Sequence, residues 1–214
     1  VQLGKNGCYF DTDVFFTLGN KSALSAMIYG SRISKIVPVG SLAMQSYYFQ
    51  KNNKSVSIKN NYDIIYITEN TNLAFDWLNV TNKSIEDYYK TYYWLAKFSN
   101  KHPNLTIGIK KHSVSLVDQH ENEIIKDTNI KIIDKFLNSY ELAFYAKCIV
   151  VYGSTMGFEL LGHNIPVIYM APGGRNLFIN GYGKLLDDHR VNNYQEFEKK
   201  LIYNLNNNTS NKSI

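Results

Sequence analysis

Short, unbroken runs of β-branched and aromatic residues, separated by segments with helical spacing, constrain this chain most. Ile64-Ile65-Tyr66-Ile67 and Cys148-Ile149-Val150-Val151-Tyr152 contain no charged residue. A strand with one wet face alternates apolar and polar residues, whereas a strand covered on both faces need not. Runs of the second kind belong to a parallel sheet with helices packed on both sides. Strands are expected at 13–18, 35–39, 62–68, 105–109, 129–133, 148–152 and 166–170. Helices are expected at 22–29, 116–125, 139–147, 155–161 and 194–205. A further helix is expected from an N-cap at Ser84, with Asp87 completing a capping box, through Phe98 to a stop at His102-Pro103. The fold class that follows is α/β, with a doubly wound, Rossmann-like parallel sheet over 62–205. Residues 1–50 are expected to close a preceding α/β domain, with a hinge at Gly40-Ser41. The Asn/Lys/Ser-rich stretch 51–61 is expected as a linker, and 206–214 as a disordered polar tail.

Composition narrows the function classes. At 44% hydrophobic and 19% charged the chain can fill a core, which excludes wholesale disorder. Two cysteines are too few for a disulfide framework, and no Cys/His spacing suggests a zinc site, so no metal or cofactor is expected. No apolar run is long enough to span a bilayer. A cytoplasmic setting is expected, with peripheral contact at the inner face of the membrane. The net charge of +5 suits anionic partners. Without basic blocks or an aromatic recognition stripe, nucleic acid is not among them.

Four segments can carry chemistry. In Val151-Tyr152-Gly153-Ser154-Thr155-Met156-Gly157-Phe158-Glu159 a buried strand enters a small-residue turn and then a helix. Gly153 and Gly157 would let a ligand approach the backbone, Ser154 and Thr155 offer hydroxyls, and Glu159 can accept from a ribose. The same residues also serve as a plain helix cap followed by a solvated acid. Lys110-Lys111-His112 ends a strand on the ligand side of an α/β sheet, where His112 can donate to phosphate, or it is a basic surface turn. In Ala171-Pro172-Gly173-Gly174-Arg175, Gly174 and Arg175 can embrace a sugar or phosphate, or form an ordinary turn. Gly40-Ser41 is the hinge candidate. A hydrolase elbow is not expected, because Thr155 stands where Gly-x-Ser-x-Gly needs serine.

In this order the pieces resemble the carboxyl half of a GT-B glycosyltransferase. The likeness is to the capsule and lipopolysaccharide branch and the related CDP-glycerol glycerophosphotransferases. It rests on Lys35-Ile36-Val37-Pro38-Val39-Gly40-Ser41, Ile107-Gly108-Ile109-Lys110-Lys111-His112, Ile130-Lys131-Ile132-Ile133 with Ser139-Tyr140-Glu141-Leu142, and the run from Tyr152 to Met170. The resemblance implies a nucleotide-sugar donor bound by His112, Gly153, Ser154, Thr155, Gly157, Glu159, Gly174 and Arg175. It implies a glycan or lipid-linked glycan acceptor, and a catalytic base on the amino-terminal domain, which leaves the catalytic residues unknown here. Non-hydrolysing UDP-sugar 2-epimerases share the architecture, and a nucleotide-sugar-binding scaffold is the non-enzymatic alternative.

Overall fold

A computed structural model of the chain describes residues 11–17, 31–41, 43–45, 62–69, 82–174 and 186–207. The chain divides into two units, Val1–Val56 and Ser57–Ile214. The helix expected at 22–29, the linker at 51–61 and the tail beyond Asn207 lie outside the described residues.

In the first unit β1 (Asp11–Thr17) pairs in parallel with β2 (Arg32–Pro38), from Asp11 opposite Arg32 to Thr17 opposite Pro38. Arg32 grips Asp11 with two hydrogen bonds, Nε to Oδ1 at 2.9 Å and Nη2 to Oδ2 at 2.7 Å. Both side chains are exposed, so this pair contributes little. At the hinge candidate, Gly40 adopts φ +72° and the Ser41 hydroxyl accepts the Met44 N–H at 3.2 Å, capping a short helical turn.

The second unit holds six parallel strands in the order β5-β4-β3-β6-β7-β8: β3 (Ile64–Ile67), β4 (Ile107–Lys110), β5 (Lys131–Ile133), β6 (Cys148–Val151), β7 (Val167–Met170) and β8 (Arg190–Val191). Counted from β3 this order is 3-2-1-4-5-6, that of a doubly wound, Rossmann-like sheet. Its four inner strands are buried at every position, which is why they read as apolar runs, broken only by Lys110 at the end of β4.

Strand alternation sorts those residues onto two faces. Ile64, Tyr66, Ile107, Ile109, Cys148, Val150, Ile168 and Met170 share one core cluster. The long helix α1 (Asn82–Lys101) covers it with Tyr88, Tyr92, Leu95 and Phe98, and α5 (Tyr194–Asn207) with Phe197 and Leu201. Cys148 is fully buried there, and burial pushes its thiol up to about 12, so it is an inert core residue. Ile65, Ile67, Gly108, Lys110, Ile149, Val151, Val167 and Tyr169 belong to the other face, with α3 (Ser139–Tyr145) and α4 (Met156–Leu161). Between β4 and β5 lies α2 (Gln119–Ile125), and a 3₁₀ turn at Pro172–Gly174 follows β7.

Four expectations need correction. The long helix starts at Asn82, so Ser84 lies inside its first turn and is not its cap. Asp87 instead accepts from the Lys90 ammonium at 2.7 Å, an i,i+3 pair on the helix. The helix expected at 116–125 begins only at Gln119, because the extended Asp118 is its true N-cap, accepting from His120 N and Glu121 N. The strand expected at 129–133 is confined to Lys131–Ile133. Asn206 and Asn207 belong to the last helix, since Leu205 still packs on the core and carries the final turn with it.

Candidate functional site

Because all six strands run the same way, β3, β4, β5 and β6 end along one rim of the sheet. The chain reverses strand order between β3 and β6, the place where doubly wound sheets open a crevice for ligand. A cleft of about 430 Å³ lies there, formed by the segments after these four strands and the start of α3. Its lining includes Thr68, Lys110, His112, Lys135, Tyr140 and Ser154, and none of the described lining residues is a carboxylate.

Strand alternation gives the two adjacent lysines opposite fates. Lys110 faces this cleft and is buried at 3% exposure. Its ammonium donates to the backbone carbonyls of Lys135 at 2.7 Å and Lys111 at 2.9 Å. Burial lowers its pKa, partly offset by the nearby Asp134. Lys111 turns to the α1 side and enters a buried polar network. Its ammonium pairs with Glu121 and donates to Tyr92 Oη at 3.1 Å, and Tyr88 donates its hydroxyl to the same Glu121. Burial pushes Lys111 down to about 8. A second cavity of about 340 Å³ lies on that side, lined by Thr68, Tyr88, Lys111, Asp118 and Glu121 among others.

His112 stands exposed on the rim of the first cleft. Its N–H donates to Thr68 Oγ1 at 3.1 Å, and its ring Nδ1 accepts from Val114 N at 3.4 Å, which leaves Nε2 directed away from the backbone turn. The segment after β5 is shaped by two side-chain caps, Asp134 Oδ1 to Phe136 N and Asn138 Oδ1 to Tyr140 N, each 2.9 Å. Between them Phe136 is left 79% exposed, with the Lys135 ammonium 5.4 Å from its ring centre. A large aromatic held out beside a basic cleft is an uncommon use of a residue that normally fills cores.

The turn after β6 departs from expectation. Ser154 lines the cleft, and Thr155 is exposed with helical backbone angles and no side-chain cap bond. The Gly153 N–H, however, donates to the carboxylate of Glu69 at the end of β3. Glu69 is half-buried as a residue, but its Oε2 is sealed from solvent and has no hydrogen-bond partner among the described residues. Desolvation raises its pKa from 4.5 to about 7, against the pull of the backbone N–H groups around Gly153.

The side of Gly157 on which a Cβ would stand is occupied by the protein itself. A Cβ there would lie 2.7 Å from Cζ of Tyr169, a fully buried ring of β7, so the glycine serves helix-to-sheet packing. Gly157→Ala is expected to cost about 1–3 kcal/mol by overpacking, beyond what the better helix propensity of alanine returns. A urea melt checks it, and an unchanged midpoint would show that Tyr169 can move aside. Glu159 accepts the Tyr140 hydroxyl at 2.6 Å, so it braces a wall of the cleft from behind.

Gly174, at φ +75°, ends a turn in which Gly173 N donates to Asn192 O at 2.9 Å, tying β7 to the β8 segment. Arg175 lies outside the described residues. The structure thus gathers His112 and Ser154 at one cleft, sets Gly153 and Glu159 behind it, and gives Gly157 and Gly174 to packing and turn formation. Sequence reasoning missed Glu69, and it did not separate Lys110 from Lys111 or single out Phe136. The period-two alternation of β4 carried the signal for Lys110. No family model matches this sequence, and no curated protein matches it.

Proposed function

We propose that this chain carries the donor-nucleotide site of a glycosyltransferase that moves a sugar from a nucleotide sugar to a capsule or lipopolysaccharide acceptor. The observation that carries the reading is the cleft at the β3/β6 switch point, with a buried cation on its floor and an exposed aromatic at its rim. A departing nucleoside diphosphate accumulates negative charge, and fixed donors in a partly desolvated cleft stabilise that charge more strongly than water does. Lys110, His112 and the Ser154 hydroxyl would supply them. The face of Phe136 offers a platform for a base. The acceptor would be a glycan or lipid-linked glycan.

The second reading is a nucleotide-sugar-binding module without chemistry of its own, which the same donors on the cleft lining would serve equally. Both readings require nucleotide binding. Titration calorimetry with UDP, CDP and CMP, with and without EDTA, is expected to give binding heat for a diphosphate in both buffers. Silence with all three would sink both readings. Transfer of labelled sugar to an acceptor extract then separates them.

A further inference from the structure

The turn that sequence motifs assign to phosphate is already filled by an anion of the protein itself. The Glu69 carboxylate receives the Gly153 N–H, and its second oxygen is enclosed. A phosphate entering that turn would meet a carboxylate at close range in a poorly solvated place, which repels it.

The opposite situation holds on the neighbouring wall of the cleft. Lys110 is buried at 3% exposure, yet no carboxylate lies within ion-pairing distance of it among the described residues. An ammonium has three donors. Two are taken by the carbonyls of Lys111 and Lys135, and the third finds no acceptor among the described residues. Asp134 acts on Lys110 only from beyond ion-pairing distance, and a buried cation without a direct partner is costly to keep, so its presence at the floor of an open cleft calls for a further counter-ion from outside. The two carbonyls fix the ammonium in place, so little order need be gained when an anion arrives. His112 and Lys135, on the same cleft, add donors and charge on the rim.

We infer that the cleft holds the diphosphate of its ligand on Lys110, flanked by His112 and Lys135, and not on the backbone N–H groups of the Gly153–Gly157 turn. This rests on the nucleotide reading above for the ligand's identity, but the anion site itself does not. The chemistry recognised is a phosphate or pyrophosphate group, with Lys110 as the specific anchor and the two rim residues as lesser contributors.

The test is calorimetric titration of pyrophosphate and of UDP into the whole chain at pH 7.5, with Lys110→Met, Lys110→Arg and Glu69→Gln beside the unmodified protein. Lys110→Met removes the charge but keeps the shape of the stem, and a thermal melt run in parallel confirms that it is folded. It is expected to weaken pyrophosphate by roughly 10- to 150-fold, the loss of one charge-assisted hydrogen bond. Lys110→Arg is expected to stay within a few-fold of the parent, which guards against a purely structural effect of the methionine. Glu69→Gln is expected to change affinity by less than about threefold. If Glu69→Gln instead tightened pyrophosphate tenfold or more while Lys110→Met had no effect, the turn would be the anion site and the inference would be overturned. Lack of pyrophosphate binding by the parent would overturn it as well. Lys110-dependent pyrophosphate binding with UDP no tighter than pyrophosphate would uphold the anion site and count against the nucleotide reading alone.

Discussion

Replacing Glu121 with leucine is expected to destabilise the second unit by about 3–5 kcal/mol near pH 7, the cost of leaving a buried charge without its partner. Glu121 is 3% exposed at its side chain and Lys111 15%, and the ammonium touches the carboxylate. The substitution also takes the acceptor from the Tyr88 hydroxyl. The sign of the pH response identifies the cause. Lys111 sits at about 8 in the fold, while an unfolded lysine titrates near 10.5. Through that window the unfolded chain binds more protons, so this group makes stability rise with pH. Without Glu121 the lysine sheds its proton at lower pH still, and the deficit of the variant should shrink as the buffer is raised from pH 6 towards 9. The double variant Lys111→Met/Glu121→Leu should return to within about 1–2 kcal/mol of the parent, since apolar groups of similar volume replace such pairs with little loss. Urea melts at several pH values measure all of this. A single variant losing under about 1 kcal/mol would show the pair to be solvated.

The second large effect runs the other way. Glu69 titrates at about 7 in the fold and 4.5 as a free side chain. Between those values the folded protein keeps a proton that the unfolded chain has released, so stability contributed by this group falls as pH rises through the window. The contribution is fully present below about pH 4.5 and lost above pH 7. At about 1.4 kcal/mol per pH unit, the loss across the window is on the order of 3–4 kcal/mol. Glu69→Gln has no proton to lose, keeps an oxygen for the Gly153 N–H, and should be more stable than the parent by about that amount at pH 8. At pH 4 the two should nearly coincide. Parallel stability curves for parent and variant across this range would place the carboxylate in water.

The buried strands were legible because β3, β4, β6 and β7 are covered on both faces and are apolar but for Lys110 at the end of β4. β8 was not, because two residues, Arg190 and Val191, leave no periodicity to detect. The strand ends were the costly ambiguity. With the strand expected to stop at Ile109, Lys110 and Lys111 form one basic turn. With Lys110 as the last strand residue, alternation sends the pair to opposite faces. Glu69 follows a strand as acids often do, and nothing local marks it. Only the pairing of β3 with β6 brings it to Gly153. The packing role of Gly157 was not legible, because a glycine that admits a ligand and one that admits a neighbouring ring look identical until Tyr169 is placed.

The central position of β3 also bears on how the chain comes to be folded. Ile64 lies beside Ile107 on one edge and beside Cys148 on the other, so the first strand of the sheet is completed by residues made much later. During synthesis the hairpin-free segment from β3 through α3 can assemble only half of its ladder. The other edge of an entirely apolar strand waits, unpaired, until Cys148–Val151 leaves the ribosome. Long-range parallel pairing of this kind is slow, and an exposed apolar edge is a template for association with other chains. Nascent chains stalled before β6 are therefore the species most in need of a holding chaperone, and carboxyl-terminal truncations that remove β6 should partition into aggregates even though every residue of β3, α1 and β4 is intact.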